Sequence, residues 1–390
     1  MVFRTPELHD DERQVSKLIA ELRDELRDRV AEPRRWGGTL RRMAFARAVQ
    51  GSNSIEGYNA SLDDVVAAVE GEPTLDASEE TQLALAGYRD AMTYVLQIAD
   101  DEPLEIDEGL LKSLHFMMIK HDLRKNPGRW RPGTVFVRNE QTKTIVYEGP
   151  PRDDVPALVA EMLSELEGSR APILVKAAMA HLNLTMIHPF SDGNGRMARC
   201  LQTLILARDR VVAPIFSNIE EFLGRNTNAY YAILEEVGAG SWNPDRDARP
   251  WIRFCLRAHY MQIRTMLRRR QETEDLWNAC TGLAEGNGLP ERCATALVDV
   301  AYGLRIRRGS YRTAVEAGTG EEISEQTATR DLQAMVDRGL LEPVGERRAR
   351  YYLAGSEPIG LRREIVAARS PQAADDPFET VQSRRQLSLS

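Results

Sequence analysis

From residue 11 to 32, charged side chains alternate with Val15, Leu18, Ile19, Leu22 and Leu26 at three- and four-residue steps. This spacing gathers the apolar groups on one stripe of a helix that stops at Pro33. Similar stripes predict helices over 39–50, 62–70, 79–99, 107–121 and 153–166, several closed by Gly or Pro. The first half of the chain therefore reads as an array of helices.

One stretch breaks the helical period. Between Gly133 and Gly149, Val135, Phe136 and Val137 precede a polar run, and Thr144 to Tyr147 follow it. Two short β-branched and aromatic runs around a polar turn predict a lone hairpin. Such a hairpin is marginal alone, so it should lean on the helices over a cleft.

Helices are predicted again over 171–187, 197–208, 219–236 and 249–270, the last ending in Arg268, Arg269 and Arg270. After Gln271 come two more helices, then 310–317, a Gly-containing turn, 324–338 and a short hairpin over 340–353. Helix, turn, helix and hairpin in that order predict a winged helix. The stretch from 363 onward has little apolar periodicity and is expected to be disordered.

The fold class that follows is mainly α: a helical bundle with a β-hairpin flap, then a small α+β winged-helix domain. The expected domains are 1–103, 104–268, 269–355 and a disordered tail over 356–390, with the flap at 133–149.

Composition narrows the function. A chain of 390 residues with 42% hydrophobic content can bury a sizeable core. A net charge of -8 excludes coating nucleic acid or an anionic membrane by bulk electrostatics, so any anion site must be local. Cys200, Cys255, Cys280 and Cys293 are far apart with no metal-ligand spacing, which predicts buried free thiols. With neither a signal-peptide stretch nor a long apolar run, the expected location is the cytoplasm, with no membrane partner.

The segment 188–199 reads HPFSDGNGRMAR. Gly193, Asn194 and Gly195 precede a helix, so their N–H groups and the helix N-terminus can hold phosphate oxygens. Arg196 and Arg199, three apart, offer guanidinium forks to distal phosphates. Asp192, at the loop's edge, is a candidate Mg²⁺ ligand beside water and phosphate oxygens. His188 ends the preceding helix and can take a proton from an incoming hydroxyl. The reaction class these groups suit is nucleotidyl transfer.

The run matches the Fic motif HPFx(D/E)GNGRxxR at every specified position, and from about 107 to 259 the chain resembles the Fic family, with weaker matches at 128–131, 149–151 and 251–252. The resemblance implies that His188 is the base, that Asp192 holds Mg²⁺, and that Gly193 to Gly195 with Arg196 and Arg199 hold the phosphates of ATP. It further implies a flap whose Val135, Phe136 and Val137 dock a target segment by strand addition, and places Tyr230 and Tyr231 near the adenine. Gly195, where the phosphorylating branch has lysine, favours transfer of AMP to a Ser, Thr or Tyr hydroxyl of a target protein, the chain itself included.

Ser52, Glu56 and Gly57 within 52–57 look like the family's inhibitory motif (S/T)xxxE(G/N). Placed ahead of the core, the motif resembles the subclass braked by its own N-terminal helix, with Glu56 paired to Arg199. A carboxylate on that guanidinium would compete with the γ-phosphate and misalign the α-phosphate. Two rival functions stay open: a hydrolase that removes AMP, with Glu56 activating water, and a DNA-binding regulator with a nucleotide-sensing core. For DNA, 324–332 would be the recognition helix and 347–350 a basic wing, but nearby acidic residues make protein docking or a homo-oligomer at least as good a reading.

Overall fold

The computed structural model describes all residues except 32–33, 100–104, 139–144, 209–212, 321, 347–349, 370–375 and 390. The N-terminal helices are α1 (Asp10–Ala31), α2 (Gly37–Ile55), α3 (Leu62–Glu70) and α4 (Glu79–Ile98). Starts are written locally: Ser61 and Ser78 each accept from an N–H three residues on, as does Asp107 at the head of α5 (Glu108–Ile119).

α2 continues five residues past its expected end. Gly51 to Ser54 are poor helix formers, but Asn53 Nδ2 donates to Val49 O at 2.8 Å and Ser54 Oγ to Gly51 O at 3.0 Å. Packing also overrides propensity here. Glycines let two backbones touch: a Cβ on Gly51 would collide with the Glu220 carbonyl, and one on Gly224 would come within 2.6 Å of Gly51 Cα.

The expected hairpin forms from β1 (Phe136–Arg138) and β2 (Ile145–Glu148), antiparallel, with Val137 opposite Tyr147. It is not alone. β3 (Gly240–Ser241) adds a parallel edge to β2, and Tyr147 Oη donates to Met186 O at 2.8 Å, tying the sheet to the helices. A pairing this short and distant in sequence leaves no period to read.

α6 (Val155–Gly168), α7 (Ile173–Ile187) and α8 (Asn194–Ala207) follow, then α9 (Pro214–Ser217), α10 (Glu220–Arg225) and α11 (Thr227–Gly238). The single helix expected over 219–236 is thus divided at Asn226, whose backbone is non-helical (φ -121°, ψ 37°). α7 and α8 are buried on nearly every side and, with α4, α5 and α6, form the main core.

α12 (Arg249–Gly286) runs 38 residues, so the domain boundary expected at 268/269 falls inside a continuous helix. The three arginines do not end it because carboxylates meet them: Glu272 for Arg268, Glu221 for Arg269 and Glu274 for Arg270. A second core forms beyond it from α13 (Cys293–Ala301), α14 (Arg308–Thr319), α15 (Glu325–Asp337), β4 (Leu341–Val344) and β5 (Tyr351–Ala354), joined by Leu26, Trp36, Leu40 and Ala44 of the N-terminal region. β4 and β5 pair antiparallel, and Ile306 bridges Tyr352. The basic residues 347–349 expected in a wing lie outside the described residues.

The tail expected to be disordered is largely helical. α16 (Ser356–Ala367) packs on α12 and α13, and α17 (Pro377–Leu389) lies on α1. Phe378 and Val381 are buried, Arg253 stacks on Phe378 at 3.7 Å, and Arg257 pairs with Asp376 at 2.8 Å. Two apolar anchors suffice for docking onto a preformed surface but are too few to show a helical period. All four cysteines are buried and unbridged. No helix among the described residues is long and apolar enough to cross a membrane.

Candidate active site

The motif is the turn from α7 into α8. α7 ends where His188 adopts a left-handed backbone (φ 52°, ψ 58°), a conformation few non-glycine residues take. That turn is held from outside by Arg131, nearly fully buried, whose Nε donates to His188 O at 2.9 Å and Nη2 to Pro150 O at 2.6 Å. Its third arm reaches Gly133 O, so a single guanidinium joins the motif to both ends of the flap.

His188 Nδ1 lies 3.2 Å from Thr185 O, which assigns the proton to Nδ1 and leaves Nε2 an acceptor with no partner among the described residues. Burial lowers the His188 pKa, only partly opposed by the Thr185 carbonyl and the charge of Glu56. The ring is therefore neutral at physiological pH and able to accept a proton.

Phe190 is buried and stacks face to face on His115 at 3.7 Å. His115 Nδ1 accepts from Gly128 N at 2.9 Å, which leaves Nε2 to donate to Asp192 O at 2.9 Å. Burial holds the His115 pKa down to about 4, so it stays in that neutral tautomer. Asn194 accepts from Phe190 N and donates to Phe190 O, both at 2.9 Å. Its side chain is thus satisfied within the loop; the expected nucleotide contact is left to its backbone. Gly193 takes φ 75°, and a Cβ there would press on Ile119 at 2.9 Å.

Asp192 Oδ1 accepts from Gly193 N at 2.7 Å, and Oδ2 pairs with Lys125 Nζ at 2.6 Å. Although burial acts against it, Lys125 and Arg196 hold the carboxyl pKa below its ordinary value. An ionised carboxylate, one-third exposed at the loop's edge, fits an oxygen-ligated divalent cation that takes most ligands from phosphate and water. Lys125 is the group such an ion would displace.

Arg196 and Arg199 are each only 1% exposed. Arg196 lies over the Tyr58 ring at 5.1 Å, and its buried Nε and Nη1 have no acceptor among the described residues. Orphaned guanidinium donors beside a loop of N–H groups are what an anionic ligand would satisfy. Arg199 is better held: Nε donates to Ser52 Oγ at 2.8 Å, and Nη2 to Ser52 O at 2.9 Å and to Glu56 Oε1 at 2.6 Å. Its Nη1 is an orphan too. Gly195 lies against the Glu56 carboxylate: a Cβ there would meet Glu56 Oε1, so a larger residue would push that side chain aside.

Behind Arg199, Glu220 accepts from Thr203 Oγ1 at 2.7 Å and from Tyr88 Oη at 3.3 Å, with burial raising its pKa to about 7. Tyr230 is 1% exposed, its ring 6.0 Å from Arg199 and its hydroxyl 3.0 Å from His181 Nε2. It packs against Arg199 and His181, buried beside the motif. Tyr231, 47% exposed, donates to Ile55 O at 3.0 Å and latches the end of α2. On the flap, Val135 precedes β1, Val137 is half-buried and Phe136 is 44% exposed, an open edge facing solvent.

The sequence signalled the motif and Ser52–Glu56. It carried no sign of His115, Lys125, Tyr58 or Glu220, which come from other segments with no motif of their own, and Arg131 stood out only as part of a weak flank.

These features define a helical protein with an anion-receptive loop between two buried helices, a hairpin flap on one side and a carboxylate helix on the other. Residues 105–206 match the Fic/DOC family. It is similar to the protein adenylyltransferase Fic of Nematostella vectensis, 28% identical over 55% of this chain and 47% of that relative. The Caenorhabditis briggsae protein adenylyltransferase fic-1 is 35% identical over 28% of this chain and 21% of its own. The chain spans about half the length of the first relative and a fifth of the second. Among solved structures, a Fic family protein from Desulfovibrio desulfuricans G20 aligns over 91% of this chain and 98% of its own with a TM-score of 0.57 at 22% identity. A Caenorhabditis elegans Fic-1 structure aligns over 66% and 72% with a TM-score of 0.51 at 22% identity. Both likenesses concern the fold.

Proposed function

We propose that this protein is an adenylyltransferase that moves AMP from ATP to a hydroxyl side chain of a protein, and that α2 holds it in check. The observation that carries this is the pair of buried, under-satisfied arginines beside a neutral His188 with a free Nε2. ATP phosphates would lie on the N–H groups of Gly193 to Gly195, with Arg196 and Arg199 on the distal oxygens. The target hydroxyl gives its proton to His188 Nε2 while its oxygen bonds to the α-phosphorus. The bond to the β-phosphate breaks, and pyrophosphate leaves with its charge met by the two guanidiniums. Asp192 would hold Mg²⁺, which neutralises phosphate charge.

Glu56 takes Arg199 in the position the γ-phosphate needs, so ATP binds with its α-phosphate out of line. The curated relatives' name, protein adenylyltransferase, supports the transfer direction over the hydrolase and regulator readings. The exposed β1 edge suits a target segment added as a strand. The second core, with α15 followed by the β4–β5 hairpin, suits a winged helix that docks protein.

The test uses ATP labelled on the α- or the γ-phosphate, with Mg²⁺, on wild type, Glu56→Gly and Glu56→Gly/His188→Ala. Retention of α-label only, stronger in Glu56→Gly and absent from the double variant, is the expected result. Label from the γ-phosphate would make the protein a kinase, and no label in any variant would refute transfer.

A further inference from the structure

A cavity of about 200 Å³ lies where α2, α10, α12 and α16 meet, away from the motif loop. Six guanidiniums line it: Arg47, Arg225, Arg268, Arg269, Arg362 and Arg369. Among the described residues, two carboxylates answer them. Glu221 holds Arg269 through both oxygens and Arg225 at 2.7 Å, while Glu272 holds Arg369 at 2.7 Å and Arg268 at 3.4 Å. Among the described residues, six guanidiniums thus face two carboxylates around one small cavity.

Arg47 makes no hydrogen bond or ion pair with any described residue, because Glu221, the carboxylate it feels, is already taken by Arg225 and Arg269. Among the described residues, Arg362 meets the Ala301 carbonyl at 3.3 Å and the Tyr302 ring at 5.0 Å. Burial, then repulsion from Arg269 and Arg225, pushes the Arg47 pKa down to about 10. Arg268 is lowered by the same causes in spite of Glu272. Guanidiniums crowded together against their own charge gain from an anion that bridges them.

We propose that this cavity is a second, previously unassigned anion site that takes the diphosphate group of a small phosphorylated ligand. Guanidinium forks converging from α2, α10, α12 and α16 match phosphate oxygens pairwise, and six guanidiniums that only two described carboxylates answer suit more than one phosphate. The volume is below the ~300 Å³ at which pockets begin to enclose a drug-sized molecule, so it receives phosphates and leaves any base and ribose outside. None of the six arginines belongs to the motif, and the site does not depend on the transfer reading.

Inorganic pyrophosphate is titrated calorimetrically into the full chain as wild type, Arg196→Gln and Arg47→Gln/Arg369→Gln, each checked for folding by thermal denaturation. Binding that survives Arg196→Gln and weakens at least tenfold in the double variant is expected. Wild-type affinity in the double variant, or complete loss in Arg196→Gln, would overturn the proposal by assigning all binding to the motif loop. Should the double variant not fold, Arg362→Gln carries the same test: weaker binding supports the site and unchanged binding refutes it. In the Arg196→Gln protein, displacement of pyrophosphate by ATP identifies a nucleotide tail as the ligand, and no displacement identifies the free diphosphate.

Discussion

Glu56 Oε1 and Arg199 Nη2, 143 residues apart in the chain, meet at 2.6 Å. Ser52, one helical turn before Glu56, holds the same guanidinium through its hydroxyl and its carbonyl. The end of α2 thus grips the arginine whose third arm, Nη1, has no acceptor among the described residues. On the proposed mechanism, both the resting stability of α8 and the access of a phosphate to Arg199 would run through this contact.

Glu56→Gly should therefore move two quantities in opposite directions. Initial autolabelling should rise by about 10- to 100-fold, as expected for restoring roughly 1 Å of alignment. Stability should fall by about 1–3 kcal/mol, because a buried guanidinium loses its partner. Labelling rate and urea denaturation check the two effects; a stable variant with unchanged labelling would show that the pair is neither brake nor strut.

On the proposed mechanism, the pH dependence follows from His188, whose neutral form would accept the proton and whose pKa is depressed mainly by burial. Raising pH through that depressed value switches the base on. In Glu56→Gly, kcat/KM should climb on the acid side with a midpoint below 6.5, the ordinary histidine value, and be flat by pH 7. A midpoint above 7 would contradict a desolvated neutral ring.

Gly51 and Gly224 let α2 and α10 touch backbone to backbone. Gly51→Ala must part the helices and should cost about 1–3 kcal/mol, the usual penalty of overpacking. Since α2 carries Glu56, autolabelling should rise as well. Thermal denaturation alongside labelling separates this from a change at an indifferent surface, which would move neither.

Lys125 occupies the Asp192 oxygen that a cation would take. Lys125→Ala in the Glu56→Gly background should lower the Mg²⁺ concentration for half-maximal labelling by about two- to fivefold, the worth of a partly exposed ion pair of ~0.5–1 kcal/mol. EDTA should stop labelling in both proteins. An increased Mg²⁺ requirement would mean that Lys125 assists the site.

Much of this protein was legible in its residue order, for physical reasons that differ from part to part. The stripes of Val15, Leu18, Ile19 and Leu22, and the Ser and Asp caps of α3, α4, α5 and α15, are local patterns set by helical period and hydrogen-bonding reach. The 188–199 loop was legible because all its chemistry lies within twelve consecutive residues, and Glu56 because it sits in a short motif of its own.

What the order of residues could not settle depends on groups brought together from distant segments. His115, Lys125 and Arg131 reach the motif from other elements, β3 pairs Gly240 with Tyr147 of β2 across 93 residues, and Phe378 and Val381 fold a polar tail onto α1. The helix through Gly51 to Ile55 and the long run of α12 past Arg270 exist because burial and carboxylate partners outweigh local propensity. Propensity, period and motif act over a few residues and can be read from them. Burial of Tyr230, the bare charge of Arg47 and the orphaned donors of Arg196 arise only when helices close around side chains, and the tertiary structure alone decided them.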